Sequence, residues 1–182
     1  MRSTTIGVLP LLLLLATATT ALAQDTAAQV QIQAEAPGTL TLGLDLGPGF
    51  GIDPSGGSMF WVGPELGMKY FQLLLLLGVR DGVTSVDLVP RFKYDIEIID
   101  RLVLTPFGGA RIDFTFVGGA KVIDLGVEIG GRVAYWITPH IAAFLEPVAV
   151  DLSFFRWISD GVGSDTDFVA SYRILAGATY RF

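Results

Sequence analysis

"YRILAGATYRF", Tyr172 to Phe182, carries the alternation of a β-strand: Tyr172, Ile174, Ala176, Tyr180 and Phe182 fall on one face, and Arg173, Gly177, Thr179 and Arg181 on the other. Side chains two apart share a face only in extended chain. Terminal segments of soluble domains are ordinarily polar and frayed. A segment patterned like the interior of a sheet needs a partner on each of its two edges. A sheet that closes on itself provides both, because its last strand pairs with its first.

The same period runs through the chain from Thr39 onward, in segments of about ten residues bounded by Gly, Asp, Pro and Ser. "TLTLGLDLG" sets Leu40, Leu42, Leu44 and Leu46 against Thr41, Gly43 and Asp45. A second segment, Met59 to Met68, sets Phe60, Val62 and Leu66 against Trp61, Gly63 and Glu65. The third, Phe71 to Arg80, holds five consecutive leucines and has no legible face. "SVDLVPRFKYDIEI" alternates most clearly, with Val86, Leu88, Phe92, Tyr94, Ile96 and Ile98 opposite Asp87, Arg91, Lys93, Asp95 and Glu97. The fifth and sixth place Arg111, Asp113, Asp124, Glu128 and Arg132 on the polar side. The seventh, His140 to Phe155, changes parity at Pro147, which a β-bulge there would reconcile. Tyr172 to Phe182 ends the eighth. The fold class expected is all-β: a closed eight-stranded antiparallel up-and-down transmembrane β-barrel.

Composition points the same way. Of 182 residues, 51% are hydrophobic and only 16% charged. After the first residues no apolar run approaches the roughly 20 residues of a membrane helix, and "FQLLLLLGV" is the longest candidate. Apolar residues spread over strands, every second one facing lipid, reconcile high hydrophobicity with short runs. Residues 1–23 read as a cleaved signal peptide: Arg2, an apolar run from Ile6, and Ala21-Leu22-Ala23 before Gln24. Residues 24–38, rich in Ala and Gln, read as a flexible periplasmic leader in which 29–36 could pair as an extra strand. Residues 39–182 form the barrel. Cysteine is absent, which excludes disulfides and thiolate chemistry. A formal charge of -6 without a basic stripe argues against a nucleic-acid partner.

Thr39 to Phe182 resembles the eight-stranded outer-membrane β-barrels of the OmpA-like and OmpX-like kind, and "YRILAGATYRF" resembles their C-terminal assembly signal, carried here by Tyr180 and Phe182. The resemblance implies insertion from the periplasm of a Gram-negative envelope with both termini periplasmic. It also implies outer-membrane lipid and lipopolysaccharide as surroundings, and periplasmic chaperones and the barrel-assembly machinery as partners during biogenesis. The chain is expected to be a monomer. Aromatic residues agree, with Phe60, Phe114, Phe116, Phe154 and Phe168 toward one rim and Tyr70, Phe71, Tyr94, Tyr135, Tyr180 and Phe182 toward the other. The same alternation also fits a soluble sandwich or lipocalin-like barrel with its apolar side inward.

Acids and bases mix on the inward face. An eight-stranded barrel is just wide enough for side chains to fill it, and buried charges persist only when paired. The expectation is an interior charge network centred on Glu65, Arg91, Arg111, Glu128, Arg132, Glu146 and Arg173, forming a plug with a structural role in the envelope. No catalytic or metal site and no cofactor is assigned. The lipid A deacylase barrels use His-x-Ser, whereas His140 is followed by Ile141 and Ala142 and sits in the turn "ITPH". "GPGFGID" lacks the following helix of a phosphate loop, and Asp160, Asp165 and Asp167 lack the spacing of an EF-hand. A narrow or lateral transporter of the OmpW-like kind is the alternative, favoured if Leu74 and Leu76 point inward beside Phe144. A lipid-modifying barrel enzyme is the third reading. The pairs Asp81-Gly82 and Gly118-Gly119 suit two-residue hairpins.

Overall fold

The structure, a computed structural model, describes residues 40–51, 57–158, 164–165 and 168–182. The stretches expected as signal peptide (1–23) and leader (24–38), with the candidate strand at 29–36, and most of the connections at 51–58 and 157–167, Asp160 and Asp167 included, lie outside the described residues.

Among the described residues ten strands follow in order: β1 (Thr41–Gly51), β2 (Ser58–Gly67), β3 (Phe71–Arg80), β4 (Val83–Lys93), β5 (Ile96–Ile99), β6 (Leu102–Val117), β7 (Ala120–Trp136), β8 (Ile141–Ile158), β9 (Ser164–Asp165) and β10 (Val169–Arg181). Neighbours pair antiparallel in chain order, and β10 pairs with both β8 and β1, so eight staves close into a barrel. The closing register sets Leu42 opposite Tyr180 and Asp45 opposite Gly177. Phe182 N–H donates to the Leu40 carbonyl at 3.1 Å, so the last residue is tied into the sheet. Closure gives every stave two neighbours, which hydrocarbon demands of backbone polar groups.

The segment expected as one strand from Ser85 to Ile98 is two: it breaks after Lys93 and resumes as β5, which among the described residues pairs only with β6. The expected bulge at Pro147 is present. Ala149 pairs with Arg173 but Glu146 with Leu175, and on the other side Val148 pairs with Gly131 but Leu145 with Val133. One extra residue in β8 therefore keeps Glu146 inward before the bulge and Ala149 inward after it. A second bulge, at Phe154, pairs Leu125 with Phe155 but Gly126 with Ser153. It turns both phenylalanines outward and brings Arg156 to the inner side. The hairpins at Asp81-Gly82 and Gly118-Gly119 are two residues long, with φ of 69°, 57° and 92° at the three glycines. The two successive positive φ values at Gly118-Gly119 match the twist of the flanking strands.

The barrel is inverted relative to a soluble protein. Leu44 is 50% and Ile129 62% exposed on the outside, while Asp87, Arg91, Glu128 and Glu146 are 0% exposed inside. The leucine run resolves the same way, with Leu75 and Leu77 outward and Leu74 and Leu76 fully buried. A lipocalin-like interior is thereby excluded. An apolar belt around the whole molecule far exceeds the few hundred Å² that soluble monomers expose. Phe60, Phe114, Phe116, Phe154 and Phe168 are exposed at the end of the long connections, and Tyr70, Tyr94, Tyr135, Tyr180 and Phe182 at the end of the termini.

Candidate functional site: the charged lumen

Inward acids and bases from several staves join in a continuous column of ion pairs. At the termini end, Arg132 on β7 donates to Glu65 at 2.5 and 3.0 Å, to Glu146 at 2.6 and 2.9 Å, and to Asp45 at 3.3 Å. Gln72 adds a bond of 2.5 Å to Glu65. Glu146 Oε1 also accepts from Arg91 Nη1 at 2.9 Å, which links this group to the middle of the barrel. There Arg91 holds Glu128 through two parallel bonds of 2.6 and 2.7 Å. This fork geometry is one that only arginine offers a carboxylate.

Glu128 passes the chain on to Arg173 at 2.8 Å, and Arg173 reaches Asp87 at 2.8 Å and Asp151 at 3.1 Å. Arg111 meets Asp87 at 2.7 Å and Asp113 at 2.7 Å. Ser85 donates to Asp113, and Thr115 donates to the same carboxylate at 2.9 Å. A separate pair, Arg156 and Asp124 at 2.8 Å, lies nearer the long connections. Lys93 and Asp95, joined at 2.6 Å, lie near the termini. The structure thus places Glu65, Arg91, Arg111, Glu128, Arg132, Glu146 and Arg173 in one connected assembly, with Asp45, Asp87, Asp113 and Asp151 as further members.

Every arginine of that assembly also lies over an aromatic ring. Arg132 is 3.7 Å from the Phe144 centroid and Arg91 4.1 Å from Phe107, while Arg173 and Arg111 are 5.3 and 5.9 Å from Trp61. Desolvated contacts of this kind are worth about 2 kcal/mol. Room for the two phenylalanine rings comes from Gly130 and Gly177. A β-carbon at Gly130 would lie 2.5 Å from a Phe107 ring carbon, and one at Gly177 2.5 Å from a Phe144 ring carbon. The aromatic partners escaped the sequence reading because an inward Phe looks like any outward one. The signal was present in their parity: Phe107 is two residues from Thr105, and Phe144 two from Glu146.

Beside the charges stands a compact apolar cluster of Trp61, Leu74, Leu76, Val89 and Leu175, with Met59 against it. Leu74 and Leu76 thus point inward, but among these residues rather than beside Phe144, whose ring covers Arg132. Leu175 breaks the polar parity of the last strand and is fully buried. His140, in the turn before β8, places Nδ1 3.0 Å from the Arg181 carbonyl and stacks on Tyr180 with centroids 5.9 Å apart. Tyr180 in turn meets the Phe182 ring edge-on at 5.1 Å.

A closed antiparallel barrel of eight staves, apolar outside and charged within, is the architecture of a transmembrane β-barrel. Three solved structures are similar to this chain. Neisserial surface protein A (NspA) superposes on 80% of this chain and 99% of its own, with a TM-score of 0.55 and 12% identity. A barrel from the de novo design of transmembrane beta-barrels covers 81% of this chain and 98% of its own, with a TM-score of 0.46 and 16% identity. A major outer membrane protein from Thermus thermophilus covers 79% and 99%, with a TM-score of 0.48 and 17% identity. No protein-family model matches the chain, and no curated protein does. The likeness to NspA is one of fold.

Proposed function

We propose that the protein is a plugged structural barrel of the outer membrane of a Gram-negative bacterium, monomeric, with both termini in the periplasm. The observation that carries this reading is the lock at mid-barrel. Arg91, Glu128 and Glu146 are 0% exposed and joined side to side across the lumen, with Leu74 and Leu76 filling the space next to them. Ions need a continuous wet path, and the interlocked groups leave none at this level. The barrel contributes rigidity and a lipid-matched surface, surrounded by lipid and lipopolysaccharide. Tyr180 and Phe182, outward-facing on the final strand, serve as the assembly signal read by the insertion machinery after periplasmic chaperones deliver the chain.

Chemistry of its own is not part of this reading. His140 is engaged in holding the last strand, and the serine that the deacylase arrangement requires two residues later is Ala142. The likeness in fold to NspA, a neisserial surface protein, supports an envelope location. Reconstitution in planar bilayers tests the plug: the expected record is a flat baseline at all voltages, and a reproducible single-channel step refutes the reading in favour of a narrow channel. Lipid A mass spectra are expected to be identical with and without the gene, and a mass change would establish a lipid-modifying enzyme.

A further inference from the structure

At the end of the long connections the lumen widens into a cup of about 330 Å³, floored by Arg111, Asp151 and Arg173 of the plug. This is at the small end of ligand-binding cavities. Its two sides differ. Met59 and Trp61 of β2 and Val83 of β4 present an apolar wall, and Asp124 of β7, Ser153 of β8 and Ser171 of β10 face them as a polar one.

Two polar groups here lack partners. Ser153 is 6% exposed, and its hydroxyl makes no hydrogen bond to a described residue. Arg173 Nε is buried without an acceptor. Charge is also unbalanced: Arg80, Arg111, Arg156 and Arg173 line the cup against Asp113, Asp124 and Asp151. Three of those arginines are bound to carboxylates. Arg80 stands exposed near the rim with no acidic partner among the described residues.

We propose that the cup binds one monosaccharide-sized sugar acid of the hexuronate type. A sugar ring has an apolar C–H face and a hydroxylated edge, which match Met59 and Trp61 on one side and Ser153 and Asp124 on the other. Its carboxylate meets Arg80. A purely apolar solute would leave the Ser153 hydroxyl buried and unpaired, which is costly. A simple inorganic anion would leave the apolar wall unused and face three carboxylates. The proposal goes beyond the structural role and needs the plug only as a floor.

The test uses the full barrel in lipid nanodiscs with Trp136→Phe and Trp157→Phe, so that Trp61 alone reports, and the heat-dependent gel shift confirms that each variant is folded. Glucuronate, glucose, octanoate and sulfate are titrated separately. Glucuronate is expected to give a saturable fluorescence change and to bind about five-fold or more tighter than glucose, the ratio one charge-assisted hydrogen bond provides. Arg80→Gln is expected to erase that preference while glucose binding stays, and Ser153→Ala to weaken both sugars. A linear response to glucuronate overturns the proposal, as does tighter binding of octanoate or sulfate, or an undiminished preference in Arg80→Gln.

Discussion

Replacing Arg132 with methionine removes the one cation shared by Asp45, Glu65 and Glu146 while keeping most of the side-chain volume. Five hydrogen bonds of 2.5 to 3.3 Å disappear, and three buried carboxylates are left facing one another. At about 4 Å and an effective dielectric near 20, each lost charge contact is worth roughly 4 kcal/mol before desolvation is counted. The guanidinium no longer has to be stripped of water, which offsets several kcal/mol of that loss, and breaking buried pairs from one side costs about 3–5 kcal/mol net. Glu146 keeps Arg91 as a partner, so the stranded charge sits mainly on Asp45 and Glu65. Adding Asp45→Asn and Glu65→Gln to Arg132→Met is therefore expected to restore more than half of the loss. Equilibrium urea unfolding in lipid vesicles, followed by tryptophan fluorescence and the gel shift, measures both variants. A loss under about 1 kcal/mol for the single variant, or a triple variant no more stable than the single one, would refute the argument that paired charges hold the lumen.

Other substitutions probe the remaining parts. Ile129→Lys, near the middle of β7 on the outer face, is expected to cost about 2–4 kcal/mol in bilayers, as a cation at the midplane does, and urea titration of vesicle-inserted protein measures it. Gly177→Ala drives a methyl group against the Phe144 ring and the Leu44 backbone. It is expected to destabilise by about 1–3 kcal/mol in the same assay. Phe144→Leu removes the ring over Arg132 and is expected to cost about 2 kcal/mol, less in the Arg132→Met background, where no cation remains beneath the ring.

Most of the barrel was legible because one physical rule, alternation with every second residue toward lipid, governs each stave. The bulge at Pro147 followed from that rule, since Leu145 and Val148 are both apolar and three apart. The leucine run did not, because Leu73 to Leu77 offers no polar residue to mark the inner side. Only the neighbours Gln72 inside and the apolar cluster with Trp61 and Val89 decide it. The break between β4 and β5 was hidden because "KYDIEI" keeps alternating through Tyr94 and Asp95 while the pairing falls from β3 and β6 together to β6. In the lumen, inward parity gave the identity of the charged groups but not their partners. Arg132 bonds residues 67 and 87 positions away, and such distances become neighbours only when the sheet closes. The second bulge, at Phe154, also kept Arg156 off the inner face in a strict count of two.

Because the chain has no cysteine, single spin labels can be placed at will, which makes the orientation of the two faces directly measurable. Labels at residues 44, 75, 129 and 154 and at residues 85 and 142, in protein reconstituted into bilayers, are compared for collision with oxygen and with a water-soluble nickel chelate. Labels on the first four are expected to be reached by oxygen and not by nickel, with a depth order that follows their place along the staves, and those on the last two by neither. Nickel reaching the first four, or the unlabelled chain staying monodisperse in buffer without detergent, would contradict an apolar face turned toward lipid.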